Sequence, residues 1–172
     1  MHSPTAIIIA TAALLLSSAQ AATLYVDNYC PFPLYLRTSS LQTGQSGVFT
    51  LSPNTVNAYN EALRGPGYTQ NALTISTSPT FSYPLQMGYT QTTNPPAPGL
   101  TYYDLSTVYG DPFKSQGFQL VSGGNGFDVV CPPRTGGDCP NTYSPSNPNG
   151  SNALFTQSDT DSFALKLCHY YP

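Results

Sequence analysis

The sequence predicts an all-β sandwich of about ten short strands, and three observations carry that prediction. Apolar and polar residues alternate over short stretches along the chain, the period-2 signature of half-buried strands. Turn residues separate these stretches, with 17 Pro and 14 Gly among 172 residues. No stretch sustains a helical period. Many short strands with regular turn signals and no helices between them indicate stacked antiparallel sheets.

The first residues stand apart from that fold. Ile7 to Leu16 is an apolar run of signal-peptide length, too short to span a bilayer. Ala19-Gln20-Ala21 supplies the small-x-small cleavage pattern, although only His2, and no Lys or Arg, precedes the run. Residues 1–21 therefore read as a signal peptide. Removing 21 of 172 residues leaves 151, residues 22–172, enough for one domain with a sizeable core.

Thr23 to Asn28 sets Leu24 and Val26 against Tyr25 and Asp27, a half-buried strand. Asn28-Tyr29-Cys30-Pro31 is a turn, and Leu34 to Thr38 reads as the returning strand of a hairpin. Gly47–Leu51 and Val56–Ala62 follow, parted by Ser52-Pro53-Asn54; Arg64-Gly65-Pro66-Gly67 is a loop. Ala72–Thr77 and Phe81–Thr90 read as strands around Pro79, and Pro84 marks the second as an edge or a bulge. Thr92–Gly99 is a Pro-rich surface loop. Leu100–Leu105 is a strand, and Gly117–Val121 with Phe127–Cys131 makes a hairpin-like pair. Pro132–Asn152 is a long loop that needs a tether at its base, and Phe163–Leu167 closes the sheet with Phe163, Leu165 and Leu167 on one face.

The chemistry concentrates between Tyr102 and Phe113, where three tyrosines, a phenylalanine and two carboxylates precede and surround the turn Gly110-Asp111-Pro112. Tyr102 and Tyr103 must point to opposite faces of their strand. A carboxylate at a strand end beside aromatic rings suits sugar binding, and Asp104 equally suits a turn that accepts its own backbone N–H groups. Asp27, Asp128, Asp138, Asp159 and Asp161 fall in turns or at strand ends and read as solvated or capping acids.

Charge is sparse, 8% of residues, with a formal net charge of −3. No basic run exists, which argues against nucleic acid and anionic lipid as partners. Aromatic and β-branched residues are too frequent for a disordered chain. Cys30, Cys131, Cys139 and Cys168 all follow the signal peptide, and an even count there implies two disulfides, with three connectivities open. No C-x-x-C pair occurs and His169 is the one histidine left, so neither a zinc centre nor any other metal or cofactor is expected. A terminal-histidine copper site fails because the new terminus is Ala22. The C-terminal His169-Tyr170-Tyr171-Pro172 carries no hydrophobic tail, so no GPI signal or membrane anchor is expected. Asn149-Gly150-Ser151 is an N-glycosylation sequon in the long loop.

Three separated pieces share one resemblance. Leu24-Tyr25-Val26-Asp27-Asn28-Tyr29-Cys30-Pro31-Phe32-Pro33-Leu34-Tyr35-Leu36 resembles the opening strand, first cysteine and second strand of thaumatin-like proteins. Tyr103 to Gly110 is similar to their tyrosine–aspartate–x–serine segment. Cys139-Pro140-Asn141-Thr142-Tyr143-Ser144 is similar to their Cys-Pro-x-x-Tyr-Ser element, and Phe163 to Cys168 to their closing strand and last cysteine. With few cysteines, a short length and Tyr102-Tyr103-Asp104-Leu105-Ser106 followed by Gly110-Asp111-Pro112-Phe113, the chain most resembles the fungal branch named for the Blastomyces yeast-phase-specific protein.

The resemblance implies a β-sandwich with a cleft beside it, and the pairings Cys30–Cys168 and Cys131–Cys139. In many relatives an arginine, a glutamate and three aspartates line the cleft, which is linked to β-1,3-glucan binding. Asp104 matches one cleft aspartate. Tyr109 stands where the next is expected, with Asp111 two residues on. Arg64 and Glu61 are the upstream candidates, though their order and spacing differ from the family's pair.

Three functions follow as expectations. The first is a secreted, monomeric, wall-associated protein that binds a glycan of the β-glucan class without catalysis, using Asp104, Asp111, Tyr102, Tyr103, Tyr109, Phe113, Arg64 and Glu61. The second is a secreted antigen or effector acting through contacts with a host or wall protein. The third is a weak endo-β-1,3-glucanase built on Asp104, Glu61 and Asp111. That chemistry needs two carboxylates about 5–5.5 Å apart for retention or about 6.5–9.5 Å for inversion, one with a raised pKa. No Ser-His-Asp arrangement is available, because the lone His169 adjoins a cysteine expected to be bridged.

Overall fold

The computed structural model describes residues 22–63, 71–92, 99–146, 154–156 and 161–170. Residues 1–21, Arg64, Asn149 and Asp159 lie outside that set.

The described residues form strands and no helix. In chain order these are β1 (Thr23–Asn28), β2 (Leu34–Ser40), β3 (Gly44–Gln45), β4 (Phe49–Leu51), β5 (Thr55–Ala62), β6 (Asn71–Ser76), β7 (Leu85–Gln91), β8 (Thr101–Ser106), β9 (Phe118–Ser122), β10 (Val129–Cys131), β11 (Leu154–Thr156) and β12 (Phe163–Leu167). One sheet runs β10-β9-β12-β1-β5. The other runs β11-β8-β7-β6-β2-β3, with β4 also paired to β2. β1 and β12 are parallel neighbours in the middle of the smaller sheet.

The two sheets stack through their apolar faces. Leu24 and Val26 of β1 and Phe163, Leu165 and Leu167 of β12 meet Leu34, Leu36, Leu73, Ile75, Leu85 and Met87 of the larger sheet, all at most 1% exposed. Burying one such side chain is worth about 2 kcal/mol. The rings of Tyr103 and Phe163 bridge the layers with centroids 4.7 Å apart.

The expected β1–β2 hairpin does not form. β1 bonds to β12 and β5, whereas β2 bonds to β3, β4 and β6, so Tyr29–Pro33 carries the chain round a corner from one sheet to the other. Both strands bury their apolar residues between the layers, so their patterns report the shared core and not a shared ladder. Asn28 holds the corner. Its side-chain amide donates to the carbonyls of Phe32 (3.0 Å) and Ser52 (2.8 Å), and its oxygen accepts the Cys30 N–H at 2.9 Å.

Phe81–Pro84 is also not strand. β7 begins at Leu85, inside the sheet, and Pro84 precedes it, where a missing N–H breaks no ladder. Phe81 and Tyr83 adopt left-handed backbone conformations (φ 56° and 53°) that no strand contains. The short edge strands β3 and β11 lie outside the expected set, because two or three residues carry no readable alternation.

Both disulfides join the cysteines that the resemblance implied. Cys30 pairs with Cys168 (Cα–Cα 5.0 Å), and Cys131 with Cys139 (Cα–Cα 5.4 Å) at the base of the long loop.

Candidate functional site

β8 distributes its side chains by strict alternation. Tyr103 and Leu105 point between the sheets, while Tyr102, Asp104 and Ser106 stand on the outer face of the larger sheet. Register then builds that face row by row. Asp104 lies opposite Gly88, which lies opposite Ala72, which lies opposite Ser39. The next row is Ser106, Gln86, Thr74 and Arg37, and on the other side Tyr102 stands opposite Thr90. Nothing larger than a methyl group projects between Ser39 and Asp104, so their row is a shallow polar trough across the strands.

Gly88 makes room for the acid. A Cβ at that position would lie 3.0 Å from Asp104 Oδ2 and 3.1 Å from Oδ1. Asp104 therefore lies down on the sheet, and burial raises its pKa above the ordinary 3.8, opposed by hydrogen bonding to the Gly88 backbone. It is the one acid among the described residues of this face.

Beyond β8 the chain turns and builds a pocket. The Thr107 N–H donates to the Tyr143 carbonyl (2.7 Å) and the Tyr143 N–H to the Leu105 carbonyl (2.9 Å), which fixes the strand end against the Cys139–Tyr143 segment. Phe113, fully buried, anchors the far side of the turn. Between these anchors Tyr109 and Asp111 line a pocket of about 370 Å³ with Tyr83, Lys114 and Asp138. Asp111 forms an ion pair with Arg134, inside the loop that Cys131–Cys139 closes. Burial pushes the Asp111 pKa up, against the pull of Arg134, whereas the hydroxyls of Ser146 and Ser144 hold exposed Asp138 below the usual range. Asp111, Asp138 and Lys114 line the pocket, and Arg134, outside the lining but paired with Asp111, brings the formal charge of the four groups to zero.

Two tyrosines stand at the mouth. Tyr83 is 76% and Tyr109 67% exposed. Tyr83 belongs to the loop between β6 and β7, which folds back over the outer face. There the Arg37 guanidinium lies 4.3 Å from the centre of the Phe81 ring, and Ser76 Oγ donates to the Ser82 carbonyl at 3.3 Å. Gly110 packs directly on the Tyr83 backbone, where any Cβ would collide.

The structure divides the expected site residues. Asp104 and Tyr102, 39% exposed, share the outer face; Tyr109 and Asp111 share the pocket. Tyr103 and Phe113 are corrections. They are 1% and 0% exposed, and offer no ring to a ligand. Tyr103 instead accepts the Phe127 N–H (2.7 Å) and donates to the Phe127 carbonyl (2.6 Å) with its hydroxyl. Glu61 belongs to β5, at the far edge of the other sheet. It shares the face of Leu24 and Val26 and accepts the Tyr59 hydroxyl at 3.0 Å. Asp104 and Glu61 therefore do not flank a common bond.

Tyr83, Lys114, Asp138 and Arg134 join the site from outside the expected set. Tyr83 falls inside the expected Phe81–Thr90 strand, and Pro84 beside it is the signal that could have placed it in a loop. Lys114 directly follows Phe113 in the same turn, whereas Asp138 and Arg134 are brought in by the tethered loop, which sequence spacing does not reveal. Asp128 caps as expected, accepting the Ser122 N–H (2.8 Å), whereas Asp27 is buried within β1 and accepts the Asn57 N–H of β5 (2.9 Å).

Two stacked β-layers tied from first cysteine to last, with a polar face on the larger sheet, define a thaumatin-like fold. The structure is similar to that of the protein elicitor MoHrip2 from Magnaporthe oryzae, with a TM-score of 0.70 and 20% identity over 87% of this chain and 100% of that one. It is also similar to the thaumatin-like xylanase inhibitor TLXI, with a TM-score of 0.52 and 11% identity over 85% and 99% of the two chains. No curated protein matches the sequence. The profile of the Blastomyces yeast-phase-specific protein family matches residues 9–169, and the chain belongs to that family.

Proposed function

We propose that the chain is exported behind its signal peptide (1–21) and works as a monomeric, non-catalytic binding protein at the cell wall. Its ligand on this reading is a neutral polysaccharide of the β-glucan class. The observation that carries the reading is the pair of exposed tyrosine rings, Tyr83 and Tyr109, at the mouth of a charge-balanced pocket. Sugar rings stack on such faces, and Asp138 and the Asp104 trough supply acceptors for hydroxyls. Absence of catalysis is supported by the acids. Asp104 has no second carboxylate on its face among the described residues, and Asp111 is committed to Arg134.

Co-sedimentation with insoluble β-1,3-glucan tests the reading. The wild-type chain pellets with the polymer, and the double variant Tyr83→Ala/Tyr109→Ala binds roughly tenfold more weakly, given about 0.5–1.5 kcal/mol per aromatic contact. A wild-type chain that stays in the supernatant overturns it. Release of reducing sugar that disappears in Asp104→Asn would restore the glucanase.

The names of the two solved neighbours favour a second reading, since one is a protein elicitor and the other an enzyme inhibitor. The same exposed tyrosines suit a protein contact, where Tyr is enriched among anchoring residues. On this reading the chain ignores glucan and the double variant loses binding to a protein target instead.

A further inference from the structure

The loop between β6 and β7 carries a second chemistry, which the binding site does not use. Thr77-Ser78-Pro79-Thr80-Phe81-Ser82 holds four hydroxyls and one proline, with Pro84 just beyond and no charged residue from Asn71 to Pro84. Thr77, Pro79, Thr80 and Ser82 are exposed. The hydroxyls of half-buried Ser78 and of exposed Thr80 and Ser82 form a ladder: Ser78 Oγ and Thr80 Oγ1 are 2.8 Å apart, and Thr80 Oγ1 and Ser82 Oγ 3.0 Å apart.

The members of the ladder are not equivalent. Ser78 Oγ accepts the Thr80 N–H (3.3 Å) and shapes the turn. The Ser82 carbonyl accepts from Ser76 Oγ, which moors the loop to β6. Thr80 Oγ1, by contrast, meets other hydroxyls and no backbone group among the described residues, so its hydrogen bonds hold nothing in place. Exposed hydroxyl pairs of this kind exchange with water at little cost. The hydroxyls of Ser46, Thr55 and Ser144 differ, and those of Ser115 and Thr135, equally free of backbone bonds among the described residues, stand singly and not in a Ser/Thr/Pro run. Ser46 Oγ accepts the Thr38 N–H (3.0 Å), Thr55 Oγ1 donates to the Ser52 carbonyl (2.6 Å), and Ser144 is buried.

We propose that this loop is a covalent glycosylation site, with Thr80 the first acceptor of an O-linked hexose and Ser78 and Ser82 subsidiary acceptors. An exported chain meets glycosyltransferases and phosphate-activated hexose donors on its way out. Ser- and Thr-rich segments interleaved with proline are the composition those enzymes modify. In the transfer, Thr80 Oγ1 attacks the anomeric carbon of the activated hexose. The new C–O bond forms as the bond from that carbon to the phosphate oxygen breaks. The phosphate leaves with the electron pair, and the hydroxyl proton passes to a base of the transferase. The attached sugar then stands three residues from Tyr83, which lines the pocket.

The test is mass spectrometry of the full chain secreted by a eukaryotic host that O-glycosylates a co-secreted control protein. Asn-linked sugar is first removed with a peptide N-glycosidase, and fragmentation that spares glycosidic bonds locates what remains. The expected result is hexose-mass increments on the peptide containing Thr77–Ser82, reduced in Thr80→Ala and absent in Ser78→Ala/Thr80→Ala/Ser82→Ala. An unchanged circular dichroism spectrum shows that the triple variant is folded. A secreted wild-type chain whose Thr77–Ser82 peptide is unmodified overturns the site alone. A chain retained in the cell overturns the export reading with it.

Discussion

Asp104 shows what one glycine can decide. With no side chain at Gly88, the carboxyl group settles on the sheet and loses part of its water, so the folded chain holds that proton more tightly than the unfolded chain does. Stability from this group is complete below the ordinary value of 3.8 and is lost as pH rises through the higher folded value. Asp111 shifts the same way, because burial outweighs Arg134. Asp104→Asn removes one of the two contributions. Its denaturant midpoint should fall less than that of the wild type between about pH 4 and pH 7, and an unchanged slope would assign the effect elsewhere. Single residues were partly legible in the sequence. Alternation alone requires Tyr102 and Tyr103 to face opposite ways, and they do. The Asp111–Arg134 pair was not legible, because its members are 23 positions apart and Arg134 is placed by a disulfide-closed loop.

The two elements that form the pocket mouth depend on each other. The loop between β6 and β7 holds Phe81 and Tyr83 in left-handed conformations, each costing on the order of 1–3 kcal/mol, which surrounding contacts must offset. One such contact is Arg37 on Phe81, and another is the Gly110 turn against the Tyr83 backbone. Gly110→Ala drives a methyl group into that backbone. The expected loss is about 1–3 kcal/mol in urea unfolding, together with weaker ligand retention. Wild-type stability in this variant would show that the two loops move independently. Strands such as β1, β6, β9 and β12 were readable within a residue or two, because their apolar positions repeat every second residue. Their partners were less readable. β1 and β2 look like a hairpin because both feed one core, and hydrogen-bond partners leave no mark on that pattern.

At the scale of the molecule, two covalent links of unequal reach hold the sandwich. Cys30–Cys168 spans 138 positions and Cys131–Cys139 spans 8. Loop entropy gives about 5 kcal/mol for the first and about 2.5 kcal/mol for the second. Replacing each pair by alanines and comparing thermal midpoints should reproduce that order, with the longer link the more costly to lose; the reverse order would mean that the long loop is the weaker part of the fold. The layered architecture follows from the strand pattern, and the family resemblance supplied the pairing that cysteine spacing left open. The longer link has a mechanical meaning as well. A pull applied at Ala22 and His169 runs through β1, across the sulfurs of Cys30 and Cys168, and out again. Tension can peel only the eight residues ahead of Cys30, on the order of 30 Å of slack, where the reduced chain would pay out on the order of 500 Å. Everything from β2 to β12 hangs beside the line of force, so a molecule tethered by its ends can be tugged without losing its pocket.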